Sequence, residues 1–182
     1  MYDLMIDIET LATDSNALVC SISAIQFNLD TGQIGEKFEI GLNWDEQISK
    51  GAVVDMGTVR WWLSQDKQAQ NSLLSLSCSN VNNALNDFNR WLADTFKSSF
   101  SNIRLWGNGA TFDNVIVENL FKRHNVEFFI RFWNHRDVRT LVDVSNIDLR
   151  TFIFEGIKHN GLDDCKHQIK YCVAAKKLIK EV

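Results

Sequence analysis

Asp7 and Glu9 near the start of the chain, Asp113 in its middle, and His159 and Asp164 near its end are the residues best suited to chemistry. Each borders an apolar run that reads as a strand or a helix, so only folding can bring the three stations together. Four carboxylates crowded into one place repel one another and lose hydration, and a protein tolerates them only when cations neutralise the cluster. The set therefore reads as a site for two divalent cations. Such a site can activate a water and steady both the attacking and the leaving oxygen of an in-line displacement at phosphorus. His159, with an ordinary imidazole pKa near ~6.5, is suited to take the proton from that water at neutral pH.

The elements that must position these residues can be traced along the chain. Tyr2 to Ile8 is a short apolar run broken by Asp3, as expected of a central buried strand. Side chains alternate faces on a strand, so Asp7 and Glu9, two apart, project to the same side. Leu18 to Phe27 and Lys37 to Leu42 give two further strands, with Asp30-Thr31-Gly32-Gln33 as the hairpin turn between them, and the three form an antiparallel meander.

Helical spacing begins at Thr58, with Trp61, Trp62 and Leu63. It returns from Val81 to Phe96, where Val81, Leu85, Phe88, Trp91 and Leu92 form one apolar stripe. Ile103 to Trp106 reads as a strand closed by Gly107-Asn108-Gly109, and Phe112 to His124 as a helix whose first turn carries Asp113. Strand exits of this kind in open α/β sheets are where sites gather. Val138 to Val142 is a short strand or helix, and Asp163 to Glu181 a terminal helix with Ile169, Cys172, Val173 and Ile179 at helical spacing. Its lysines, including Lys176, Lys177 and Lys180, suit the negative end of the helix dipole. This order is that of an α/β domain with a mixed sheet, and 182 residues suffice for one domain, 1–182.

Taken singly, each station has an ordinary structural use. Asp7 and Glu9 could begin a solvated loop, while Asp113, Asp163 and Asp164 could serve helix starts. Their joint order is more specific. Ile6-Asp7-Ile8-Glu9-Thr10, then Asn108-Gly109-Ala110-Thr111-Phe112-Asp113, then His159-Asn160-Gly161-Leu162-Asp163-Asp164 resemble the three motifs of the DEDD exonuclease superfamily. The five-residue step from His159 to Asp164 matches its histidine subclass (DEDDh); the tyrosine subclass would want Tyr where this chain has Asn160. Thr58 to Leu63 and the small size are most similar to the small phage and bacterial members, such as phage exonuclease A and the mycobacterial exoribonuclease.

That resemblance implies a ribonuclease H-like fold with a central five-stranded mixed sheet flanked by helices. It also implies 3′ to 5′ removal of nucleoside 5′-monophosphates with two Mg²⁺ or Mn²⁺ ions. Asp7, Glu9, Asp113 and Asp164 would be metal ligands and His159 the general base, with Asp164 preferred to Asp163 because it keeps the spacing. Gly161 replaces the alanine of many members, a change expected to be harmless or to loosen the histidine loop.

Thr10, Leu11 and Asn108 are candidate substrate-binding residues because they adjoin the matched motifs, with loop packing the competing use of Leu11. Trp61 and Trp62 could stack on a base, although core packing or a subunit interface is the commoner use of indoles. His124 and His135 are expected in basic loops, and His167 on the surface of the terminal helix.

Composition is compatible with a nucleic-acid partner. The formal charge of −4 is unusual for one, but two divalent cations would bring it to zero. Without a long basic stripe few phosphates can be gripped at once. Single strands or 3′ overhangs of RNA or DNA are the expected substrates, since the terminal nucleotide must be splayed into the site. With no targeting segment or membrane-length apolar run, a soluble, cytoplasmic protein is expected. Four scattered cysteines read as reduced core thiols. The aromatic surplus permits a homodimer. The alternatives to an exonuclease are a phosphodiesterase specialised for very short RNA and a non-catalytic binding module on the same fold.

Overall fold

In the computed structural model, residues 1–76, 78–109 and 111–180 are described, Lys180 by its backbone alone. Ala110 and Glu181 of the segments above lie outside the described residues. Strands β1 (Tyr2–Thr10), β2 (Val19–Phe27) and β3 (Ile34–Leu42) form the expected antiparallel meander. Asn28 closes the β2–β3 turn: its backbone N–H donates to the Gln33 carbonyl and its carbonyl accepts from Gly32 N–H.

Helices α1 (Trp44–Ser49), α2 (Met56–Ser64) and α3 (Lys67–Ser75) follow, then β4 (Cys78–Ser79), α4 (Val81–Phe96) and β5 (Ile103–Gly107). The chain ends with α5 (Asp113–Arg123), β6 (His135–Asp137), α6 (Val138–Ser145) and α7 (Gly161–Lys180). The sheet order is β4-β3-β2-β1-β5-β6, with β5 parallel to β1 and to β6. The sheet thus has six strands, not five. The two edge strands span two and three residues, too short for any alternation of apolar and polar side chains to mark them.

In a chain without proline, helix starts rest on side-chain caps. Asn43, Asp55, Asp66, Asn80 and Asp137 each accept a backbone N–H in the first turn of α1, α2, α3, α4 and α6. Of the stripe on α4, Val81, Leu85, Phe88 and Leu92 are completely buried and Trp91 partly so. The stripe packs with α5 against the β1 face that carries Leu4, Ile6 and Ile8. On the opposite face Met5 packs with Cys165, Ile169 and Cys172 of α7. Val138–Val142 proves helical, within α6.

His124 is not in an open loop. It is 1% exposed at the end of α5, and burial pushes its pKa down to about 4. Cys20, Cys165 and Cys172 are buried thiols, whereas Cys78 is exposed on an edge strand. Among the described residues no helix is long and apolar enough to cross a membrane.

Candidate active site

The two faces of β1 decide where its carboxylates go. With Leu4, Ile6 and Ile8 turned towards α4 and α5, the odd-numbered Asp3, Met5, Asp7 and Glu9 turn towards α7. Asp3, at the far end, is spent on structure: Arg104 grips it through two hydrogen bonds of 2.7 and 2.6 Å, and Trp106 Nε1 donates to it at 2.8 Å. Among the described residues Asp7 and Glu9 have no such cationic partner. A register shift against β2 falls between Glu9 and Thr10, where the chain leaves the sheet beside the cleft.

Asp113 reaches the same place because β1 outruns its parallel neighbour. Pairing with β5 covers only Tyr2 to Met5. Beyond it, the Ile8 N–H donates to Asp113 Oδ1 at 3.3 Å, and the Asn108 N–H donates to Oδ2 at 2.8 Å. Asp113 therefore does more than favour a helix start: its carboxylate knits the β1 terminus to the β5–α5 loop. Gly107 permits the approach, since a Cβ there would lie 3.0 Å from Asp113 Cβ.

The third station is fixed by the start of α7. The Asn160 carbonyl accepts from both Asp163 and Asp164 N–H groups, and its side chain donates to Ser72 Oγ of α3 at 2.8 Å. Asp164 faces the cleft. Asp163 faces away, accepting the Ile157 N–H at 3.0 Å and pairing with Lys166 at 2.7 Å. Gly161 is neither harmless nor loosening. A Cβ at this position would stand 2.7 Å from Ser23 Cβ on β2 and 3.5 Å from Asp7 Oδ2, so the missing side chain is what lets α7 lie against the sheet.

His159 has a left-handed backbone, φ 63°, a conformation that costs a residue with a side chain about 1 kcal/mol or more. Its ring is held edge-on by Trp61 and Trp62, with centroids at 4.9 and 5.8 Å. Trp62 is buried and its Nε1 donates to the Thr10 carbonyl at 2.9 Å, while Trp61 remains 44% exposed. Burial, with Lys158 adding to it, holds the His159 pKa below the ordinary imidazole value, against the opposing pull of Asp66.

These residues border one cleft of about 680 Å³. Burial first, and the neighbouring carboxylates second, push Asp7 and Glu9 well above the usual carboxylate range. Burial likewise pushes Asp113 and Asp164 up to about 6. A cluster this reluctant to ionise is what a cation site looks like before the cation's charge is counted. Ligand atoms of Glu9, His159 and Asp164 lie within 4.8 Å of one another, close enough to share one cation, and the carboxylate oxygens of the cluster are the donors a hard divalent ion takes.

Of the other candidates, Thr10 and Asn108 line the cleft. Leu11 does not line it; it packs with Leu18, Cys20, Trp62 and Ala69, the loop-packing use. His167 lies apart, its ring against Phe154 and hydrogen-bonded to the Tyr171 hydroxyl.

Gln168, Arg139 and Asp55 also border the cleft, beyond the candidates above. Gln168 donates to Asp7 Oδ1, Arg139 stands beside Asn108, and Asp55 caps α2 at the rim. Only Gln168 had a signal: it is one helical turn beyond Asp164 and therefore shares its face.

The sequence model of the family described as the 3′-5′ exoribonuclease Rv2179c-like domain matches residues 2–175. The exodeoxyribonuclease of Enterobacteria phage T4 is 24% identical over 202 aligned residues, covering 93% of this chain and 86% of that protein. Among solved structures, the nuclease domain of 3′hExo, a DEDDh family member bound to rAMP, matches at 12% identity with a TM-score of 0.66, over 97% of this chain and 92% of that one. E. coli exonuclease I in complex with a dT13 oligonucleotide matches at 12% identity with a TM-score of 0.62, over 99% of this chain, which spans 42% of that one. The fold is the ribonuclease H-like one that the resemblance implies.

Proposed function

This chain belongs to the Rv2179c-like 3′-5′ exoribonuclease domain family, hydrolases acting on phosphodiester bonds, and from that premise we propose that residues 1–182 act as one exonuclease domain on single-stranded or 3′-overhanging nucleic acid, releasing nucleoside 5′-monophosphates. The observation that carries this reading is the convergence of Asp7, Glu9, Asp113, Asp164 and His159 on one cleft, with no lysine or arginine paired to any of the four carboxylates among the described residues.

Asp7, Glu9, Asp113 and Asp164 would hold two divalent cations, Mg²⁺ or Mn²⁺. Bound there, such ions lower the pKa of the attacking water and neutralise the charge that grows on the phosphate oxygens. His159, whose pKa burial holds below the ordinary imidazole value, is placed to accept the water's proton. Trp61 and Trp62 set the angle of its ring. Thr10 and Trp62 line the cleft, where a terminal nucleoside can sit, and half-exposed Trp61 offers it an indole edge or face. A soluble, cytoplasmic setting fits this reading.

The test is degradation of matched 5′-labelled RNA and DNA oligonucleotides, single-stranded and with 3′ overhangs, in Mg²⁺, Mn²⁺ or EDTA. A ladder shortening from the 3′ end, present with metal and absent with EDTA, supports the proposal and identifies the sugar. Endonucleolytic fragments, or no cleavage with either metal, would refute it.

A further inference from the structure

Arg139 borders two cavities. It lines the active-site cleft and, with Asn108, an adjoining groove of about 730 Å³ between α6 and α7, walled by Val142, Leu149 and Tyr171. Its guanidinium lies over the loop after β5: Nε donates to Asn108 Oδ1 at 3.4 Å, and Cζ is 3.9 Å from where a Cβ on Gly109 would stand. Among the described residues it forms no salt bridge, unlike Arg90, Arg104, Arg131 and Arg150. It is also the sole arginine or lysine among the described residues lining a cleft that carries five carboxylates.

An exposed guanidinium held at a junction of two cavities, in no salt bridge among the described residues although it acts on Asp113 through space, is placed to grip an anion passing from one to the other. A strand whose 3′ end sits in the cleft can continue past Asn108 and Arg139, which line both cavities. The groove it then meets combines an aromatic ring, aliphatic walls, the Thr140 hydroxyl and this cation, with the Asp143 carboxylate also on its lining, so that a base and a sugar find apolar walls and the phosphate depends on Arg139.

We propose that Arg139 holds the first phosphate upstream of the cleaved one, and that the α6–α7 groove receives the nucleotide between those two phosphates. This rests on the exonuclease reading, and the test separates the two. Wild type, Arg139→Ala and Arg139→Lys are compared on a single-stranded oligonucleotide and on the p-nitrophenyl esters of thymidine and uridine 5′-monophosphate, in which p-nitrophenol replaces the whole upstream strand.

With divalent metal, Arg139→Ala should lower kcat/KM about tenfold more on the oligonucleotide than on the esters, mainly through KM, with partial recovery in Arg139→Lys. The slope of log kcat/KM against log salt should become shallower by about 0.7 on the oligonucleotide. Equal losses on both substrate types, or an unchanged salt slope, would overturn the proposal and leave Arg139 as a support for the Asn108 loop. Wild type inactive on oligonucleotide and ester alike would remove the exonuclease reading and this inference with it.

Discussion

Gln168 Nε2 donates a 2.8 Å hydrogen bond to Asp7 Oδ1, joining α7 to the carboxylate that stands at the centre of the cleft. The amide is 5% exposed, and its Oε1 has no hydrogen-bond partner among the described residues, so its fixed contribution is this one donation. Groups that orient a metal-binding carboxylate typically account for 10- to 100-fold in metal affinity or activity. Gln168→Leu, which keeps the volume and removes the donor, should therefore weaken Mn²⁺ binding by about tenfold or more while the fold survives. Calorimetric titration checks this, and an unchanged affinity would show that Asp7 needs no such support.

Gly161 gives a packing test. An added methyl meets Ser23 at 2.7 Å, so Gly161→Ala must push the start of α7 away from β2. Overpacking of this kind costs about 1–3 kcal/mol. Because Asp164 and His159 flank Gly161, turnover should fall together with Tm. Ser23→Gly in the same chain removes the opposing Cβ and should restore part of both. A variant as stable and active as wild type would mean that the helix start yields freely.

Much of this site was legible in sequence. Strand alternation alone put Asp7 and Glu9 on one face, and the face is the one on which α7 packs. The spacing from His159 chose Asp164 over Asp163, and the structure turns Asp164 to the cleft and Asp163 to Lys166. What was not legible depended on contacts between distant segments. Gly161 looked tolerant because Ser23, which it meets, is 138 residues away in the chain. His124 looked like a loop residue because its neighbours Lys122 and Arg123 are charged, yet the ring packs inward beside Asn82. The edge strands β4 and β6 carry no apolar pattern, their pairing being imposed by the neighbours β3 and β5.

His159 sets a pH limb with a definite sign. A general base works unprotonated, so the rate is lost as pH falls through its pKa, and burial places that pKa below the ordinary value of about 6.5. With metal saturating, log kcat/KM should be flat through neutral pH and bend down only below about 6.5. His159→Ala should lose about 10² to 10⁴ in turnover with metal affinity little changed. A comparable loss of metal affinity would make His159 a ligand instead.

The carboxylates make metal-free stability depend on pH in the opposite sense to ordinary paired acids. Their folded pKa values are raised, so the folded state binds more protons than the unfolded one as pH falls through about 6 for Asp113 and Asp164. Their destabilising effect is full above that range and relieved below it. Mn²⁺ should accordingly raise Tm more at pH 8 than at pH 5.5, where protons compete for the same oxygens. Asp7→Asn should raise the metal-free Tm by a few degrees while abolishing turnover, the pattern of a residue kept for chemistry at the expense of stability. A thermal-shift series over pH reads both, and a Mn²⁺ shift that grew on acidification would contradict the electrostatic account.

Asp7, Glu9, Asp113 and Asp164 together would hold two cations. Anomalous scattering from crystals of active protein grown with Mn²⁺ and a nucleoside 5′-monophosphate tests it most directly. Two Mn²⁺ peaks are expected in the cleft, both within bonding distance of these carboxylates; a single peak, or ions bound elsewhere, would contradict a two-cation site.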